Sequence, residues 1–293
     1  MTNGQRAHRF AIGENLRFIE HPSGLTVGQV ATEHCGGEFF VQGAHVTRYH
    51  PTCEPHPILF LSQESLFEFG KPIRGGIPIC FPWFSAHPSD PSLPAHGWAR
   101  ISAWELVSSR RVEDDIQIEF QFFQEPFELG YTVRFGKMFR AGFSVTNTSA
   151  KLQSFELALH TYFQISDISS VRIEGDLRSC PFLDQLTASE FQPEYKAITF
   201  EKETDRIYEG KASEIRLIDS GWKRTIHINS EGSESTIVWN PWIDKSKRMK
   251  DFGDDEYLQM CCIETGNVRR RAVAIAPGET HTTSLKIRSA AHA

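Results

Sequence analysis

Two arginines in a rigid loop, a histidine in an apolar strand and a glutamate at the end of another are the side chains best placed by type and setting to do chemistry. The loop reads Lys71-Pro-Ile-Arg-Gly-Gly-Ile-Pro-Ile-Cys-Phe-Pro-Trp-Phe84, and Leu93-Pro-Ala-His-Gly-Trp-Ala-Arg100 follows it. Prolines remove ladder donors and the paired glycines permit positive φ, which excludes an ordinary strand or helix. Arg74 and Arg100 in so apolar and irregular a frame suit a pocket for a small anionic ligand. The alternative is a surface crossover whose arginines are simply solvated.

In Phe155-Glu-Leu-Ala-Leu-His-Thr-Tyr-Phe-Gln-Ile165, period-2 alternation puts His160 on the face of Glu156, Ala158 and Tyr162, away from Leu157 and Leu159. Such a histidine could be a general acid or base, a metal ligand, or a core residue bonded to a backbone carbonyl. No second histidine or cysteine stands at ligand spacing, so no metal is expected. Met260-Cys-Cys-Ile-Glu-Thr-Gly-Asn-Val268 reads as a buried strand closing on a glycine turn, with Glu264 just inside it. Burial there would raise the carboxyl pKa and suit a general base. A glutamate bonding the turn amides of Gly266 and Asn267 is an equal alternative. Trp239-Asn-Pro-Trp242 sets two indoles around a proline turn. Aromatic faces stack on the C–H faces of sugars, and Asn240 offers a donor and an acceptor to hydroxyls, which leans towards a carbohydrate pocket. Asp205 lies in a turn-like stretch, where a solvated or capping carboxylate is the ordinary reading.

Strand signals dominate the elements that must position these groups. Alternation or β-branched runs mark Leu25–Ala31, Phe39–Tyr49, Asp115–Gln124, Tyr131–Thr146, Ser154–Phe163, Ala197–Phe200, Glu214–Asp219, Ser235–Asn240, Tyr257–Glu264 and several shorter segments. Helical signals are confined to Ser62–Phe69 and Asp244–Met249, each with a candidate N-cap at its first residue. Many close-spaced strands with almost no helix exclude a doubly wound fold and imply antiparallel sheets packed face to face. No linker or repeat divides the 293 residues, so one sandwich domain over 1–293 is expected, with 22 phenylalanines to fill it.

A net charge of −6 without a dense Lys/Arg run argues against a nucleic-acid surface. No apolar run approaches membrane-span length and Met1–Phe10 lacks a hydrophobic leader core, so a cytoplasmic protein without membrane partners is expected. The six cysteines lack CxxC spacing and read as small buried side chains, with Cys261 and Cys262 on opposite strand faces.

Six of these elements, taken together and in order, resemble the D-hexose-6-phosphate mutarotases (glucose-6-phosphate 1-epimerases) of the aldose 1-epimerase superfamily. They are Arg74-Gly-Gly-Ile-Pro with Phe81-Pro-Trp-Phe84, His96-Gly-Trp-Ala-Arg100, Leu159-His-Thr-Tyr-Phe163, Asp205-Arg-Ile-Tyr208, Trp239-Asn-Pro-Trp242 and Ile263-Glu-Thr-Gly-Asn267. The resemblance spans about two-thirds of the chain. It implies a galactose-mutarotase-like β-supersandwich that interconverts the α and β anomers of a sugar phosphate without metal or organic cofactor, and a monomer is expected. It also implies that His160 is the general acid, Glu264 the general base, and Arg74 and Arg100 the phosphate ligands. Asp205 would bond sugar hydroxyls, and His96, Trp239 and Asn240 complete the expected substrate contacts. Some relatives carry a glutamine just before the His-Gly, where this chain has Ala95, and that contact does not transfer. Asp205 or Glu156 is expected to keep His160 protonated. Two other readings stay open: an epimerase for unphosphorylated hexoses, and a phosphosugar-binding module without turnover.

Overall fold

Two eight-stranded antiparallel sheets hold most of the strand residues in the computed structural model, which describes residues 7–291. Most of the Met1–Phe10 segment considered above lies outside the described residues. The first sheet runs Ser189–Phe191, Phe182–Asp184, Thr204–Glu209, Ser235–Asn240, Met260–Asn267, Leu157–Leu159 and Ile79–Cys80, and Tyr162–Gln164 also pairs with Met260–Asn267. The second runs Val171–Gly175, Glu214–Asp219, Arg224–Glu231, Thr280–Ala291, Phe139–Asn147, Phe127–Phe135, Asp115–Gln124 and Glu105–Val112. A four-stranded meander, Leu16–Glu20 to His45–Pro51, adds a further layer. Among the described residues, no helix is long and apolar enough to cross a membrane.

Side-chain alternation explains the layering. Ile116, Ile118 and Phe120 turn inwards from one strand, and Leu129, Tyr131 and Val133 from its neighbour. In the first sheet, Val238, Cys261 and Ile263 enter this same core. Their sequence neighbours Trp239 and Cys262 face the other way, with Phe60, Tyr162 and Met260, in a separate apolar cluster. Every residue of Met260–Asn267 is therefore buried, although only one face meets the main core. Cys261 and Cys262 do point to opposite faces, as the period of two requires.

Phe81 ties this core to the loop above it. Its ring lies 5.2 Å from Phe127, 5.2 Å from Phe155 and 5.9 Å from Phe143. Emptying such an aromatic cluster costs about 3–5 kcal/mol for a Phe→Ala change. The Phe81 carbonyl meanwhile accepts from the Trp98 amide. At Gly97, with φ 73°, a Cβ would fall 1.9 Å from that carbonyl, so only glycine allows the approach that seats the preceding His96.

Several expected elements differ. Phe39–Tyr49 is a hairpin, Cys35–Phe40 and His45–Pro51, turning at Gly43. Tyr131–Thr146 is likewise two strands, Phe127–Phe135 and Phe139–Asn147, turning at Gly136. Ala197–Phe200 contributes only an isolated bridge at Ile198. Ser62–Phe69 is not helical, because its polar groups are spent on the arginine loop: the Ser62 amide donates to the Arg74 carbonyl and Ser65 Oγ accepts from the Arg74 amide. The helix expected at Asp244 starts earlier, at Trp242–Ser246, and Pro241 rather than Asp244 stands at its N-cap position, without a side-chain capping bond.

Candidate active site

Strand register brings His160 and Glu264 together. Leu159 pairs with Thr265 and Tyr162 with Cys262, one continuous register that sets His160 directly across from Glu264. Residues directly opposite in antiparallel strands share a face. His160 Nε2 lies 3.3 Å from Glu264 Oε1. The two residues that interrupt Leu157–Leu159 and Tyr162–Gln164 are His160 and Thr161, and the His160 amide donates instead to the Pro78 carbonyl. The same register extends sideways: Ile237 pairs with Glu264, while Trp239 pairs with both Cys262 and Asp205. One sheet face thus carries Asp205, Trp239, Cys262 and Tyr162 in one row and Ile207, Ile237, Glu264 and His160 in the next.

These groups floor and wall a cavity of about 350 Å³, a size that suits a monosaccharide. Arg74, His96, His160, Asp205, Trp239 and Glu264 all line it, as do Ala95, Gln185 and Lys245. A larger cavity of about 560 Å³ lies beside Asn267 and Arg271, but it lacks a paired acid and base.

The floor is poorly solvated. Glu264 sits between the Trp239–Tyr162–Cys262 cluster and a second apolar group of Cys80, Phe84, Ala158, Ile207 and Ile237. Burial pushes its carboxyl pKa well above the usual carboxylate range, the Asp205 charge adds to that, and Arg100 opposes it. Burial likewise holds the His160 pKa well below the usual imidazole value, with Arg100 and Arg74 adding to the effect. Its ring stacks on Tyr162 at 4.7 Å and meets the Trp239 ring edge-on at 6.0 Å. Glu264 Oε2 and His160 Nδ1 are buried without hydrogen-bond partners among the described residues.

The expectation that Glu156 or Asp205 keeps His160 protonated is corrected. The Glu156 carboxylate is occupied by the backbone amides of Phe84 and Arg269. Asp205 sits on the strand Thr204–Glu209 rather than in a turn, where its Oδ1 accepts from Gln185 at 2.6 Å. Burial raises its pKa, against the pull of that bond and of Lys245.

Arg74 lines the cavity, but its guanidinium is already engaged. Its Nε and Nη2 reach both oxygens of Asp251, and Nη1 donates to the Tyr162 hydroxyl at 3.0 Å. These partners outweigh burial and keep the group firmly charged. Gly76 sets the loop close in: with φ 64°, its Cβ would strike the Val46 carbonyl at 2.1 Å. His96 accepts the Ser85 amide at Nδ1, which leaves the Nε2 proton to face the cavity when the ring is neutral.

Two expected ligands are not on the wall. Asn240 is fully buried: its amide donates to the carbonyls of Tyr257 and Met260, and its oxygen accepts from the Trp242 amide. It stabilises the proline turn and has no face left for a sugar. Arg100 lies buried behind the wall, where Nη2 donates to the Ala95 carbonyl at 2.8 Å. Its charge is felt at His160, but the expected pair of wall arginines reduces to Arg74, with Lys245 as the second cation. Sequence reasoning missed Gln185, Lys245 and Tyr162. Tyr162 was legible as the same-face neighbour of His160; the other two had no local signal.

Comparison with known proteins gives a consistent result. The aldose 1-epimerase family model matches residues 31–288. A protein of Cenchrus ciliaris that carries the provisional name glucose-6-phosphate 1-epimerase is 35% identical, over 89% of this chain and 84% of its own. A Haemophilus influenzae protein with the same provisional name is 31% identical, over 86% of this chain and 89% of its own. Among solved structures, a provisionally named mutarotase from Salmonella typhimurium superposes with a TM-score of 0.85 at 26% identity, over 94% of this chain and 97% of that one. A galactose mutarotase-like protein from Clostridium acetobutylicum, 15% identical with a TM-score of 0.71, shares the fold.

Proposed function

The chain belongs to the aldose 1-epimerase family, and from that premise we propose that it interconverts the α and β anomers of a hexose 6-phosphate, glucose 6-phosphate foremost. The observation that carries the reading is the cross-strand pair His160–Glu264 on the cavity floor. Opening a hemiacetal ring takes a proton from the C1 hydroxyl and gives one to the ring oxygen. Both oxygens are bonded to the same carbon, so the acid and base that serve them must stand side by side. A separation of 3.3 Å meets that need. A glycosidase instead uses two carboxyl groups, roughly 5–9.5 Å apart.

The pair works with one proton between its members. In the reactive form Glu264 is the carboxylate and His160 the imidazolium. Glu264 takes the C1 hydroxyl proton as His160 protonates the ring oxygen, which breaks the C1–O5 bond and leaves an open-chain aldehyde. Rotation about C1–C2 presents the other carbonyl face. The two groups then reverse roles, and the closed ring leaves the pair as it began. Opposite pKa displacements, up for the carboxyl and down for the imidazole, favour the shared proton on Glu264 in the resting pair, and the reactive form is reached when that proton moves across to His160.

Substrate selection falls to the wall. Arg74 keeps N–H groups beyond those taken by Asp251 and Tyr162, and a phosphate there gains charge-assisted bonds of about 1.5–3 kcal/mol each. Trp239 offers a stacking face, and Asp205 with Gln185 accepts and donates to hydroxyls. One observation favours a second reading, an epimerase for free hexoses: the Arg74 charge is already balanced by Asp251. Anomer exchange measured by NMR on glucose and glucose 6-phosphate separates the two. At sugar concentrations well below KM, faster exchange on the phosphate ester that Arg74→Ala removes supports the proposal, whereas equal rates on both sugars support the second reading.

A further inference from the structure

Cys262 lies two residues before Glu264 on the strand Met260–Asn267 and therefore shares its face. Ligand atoms of His160, Cys262 and Glu264 all lie within 4.8 Å of one another, each side chain buried. No second histidine or cysteine stands at ligand spacing from His160 along the chain, but the sheet brings Cys262 within ligand reach from another strand. We propose that this floor is an inhibitory binding site for a thiophilic divalent cation of the zinc type.

Three arguments carry the site. The donor set is one imidazole, one thiol and one carboxylate, which suits tetrahedral zinc and is poor for magnesium or calcium, whose ligands are oxygens. Glu264 is 1% exposed, and its Oε2 has no hydrogen-bond partner among the described residues, so a lone-pair donor is left over at the floor. Charge balances as well: a divalent ion with a thiolate and a carboxylate is neutral overall, which suits the apolar setting of the cluster. His160 and Glu264 line the cavity, which gives the ion an entry path. On binding, the Cys262 thiol proton and the one proton held by the His160–Glu264 pair both pass to solvent, and no redox change occurs. The inhibitory consequence rests on the proposed catalytic roles of His160 and Glu264, because an ion there occupies the lone pairs both need.

The test uses the full chain with the exposed Cys53 replaced by serine, so that no surface thiol competes. Cobalt(II) is the optical probe and zinc the inhibitor. The expected result is one ion per chain, a thiolate-to-cobalt charge-transfer band, tetrahedral d–d absorption, and anomer exchange that zinc slows and a chelator restores. Cys262→Ser should abolish the charge-transfer band and raise the zinc inhibition constant at least about tenfold. Cys262→Ala serves as a second variant if the serine form folds poorly. Absence of the band in the parent, or unchanged zinc sensitivity in both variants, overturns the site. Zinc that binds with the band but leaves anomer exchange unaltered keeps the metal site and counts instead against His160 and Glu264 as the acid and base.

Discussion

The floor and the wall of the cavity handle charge in opposite ways. On the floor, His160 and Glu264 are 8% and 1% exposed, and their closest ionisable partner is each other. Burial pushes both towards their neutral forms. On the wall, Arg74 is 21% exposed and held by a bidentate carboxylate, and Lys245 is 32% exposed and lies 3.0 Å from Glu203. Each of those charges faces a carboxylate of opposite sign. A group that must gain and lose a proton in each turnover benefits from an environment that does not lock it into its charged form. A group that only grips an anion benefits from a permanent charge fixed in direction. The difference supports the proposed division, with chemistry on the floor and selection on the wall.

The largest expected effect separates the two regions directly. Glu264→Gln or His160→Ala should lower kcat by about 10²–10⁴ with little change in KM, after subtraction of uncatalysed exchange. Arg74→Ala should do the reverse, raising KM for glucose 6-phosphate by about 10- to 150-fold while leaving free glucose much less affected. A kcat loss from Arg74→Ala, or a pure KM effect from Glu264→Gln, would erase the contrast.

Asn240 sharpens the comparison from outside. Asn240→Ala leaves the carbonyls of Tyr257 and Met260 without their donor, at about 1–3 kcal/mol for each group left unpaired. The melting temperature should fall by roughly 2–4 °C per kcal/mol, with KM for the sugar unchanged. A selective rise in KM at an unaltered melting temperature would restore it as a substrate ligand.

The smallest effect is a gain. Because the Glu264 pKa is raised in the fold, the unfolded chain ionises first as pH rises past the ordinary carboxylate value. The native state then binds more protons than the unfolded state, and stability from this group falls as pH climbs. Glu264→Gln should therefore melt higher than the parent at pH 7–8 and lose that advantage at pH 4. His160 acts with the opposite sign: its pKa is lowered, so the unfolded chain takes up a proton first as pH falls below about 6.5, and stability declines there. Thermal melts of both variants across pH check the two slopes.

Much of this was legible before any coordinates. Alternation placed Asp115–Gln124 and Glu214–Asp219 at their observed bounds, because a strand with one apolar face writes its period into the sequence, and a β-branched apolar run did the same for Ser235–Asn240. Hairpins inside long apolar runs were harder, since Gly43 and Gly136 turn the chain without a Pro or Asn beside them. The helix expected at Ser62 failed because Arg74, on the loop that follows, claims its polar groups. Within the site, His160 and Glu264 were legible as types in suggestive settings, but not as neighbours. Their pairing depends on register, which only the folded sheet states. The same gap hid Cys262 as a neighbour of His160, and it made Asn240 look available when three backbone groups already hold it.

The central claim is that the floor pair, and not the charged wall, makes and breaks the hemiacetal. Saturation-transfer NMR of anomer exchange on glucose 6-phosphate tests it most directly, with parent, His160→Ala, Glu264→Gln and Arg74→Ala each at saturating sugar. The account predicts exchange near the uncatalysed rate for the two floor variants and near the parent rate for Arg74→Ala. Parent-like exchange in a folded floor variant would contradict it.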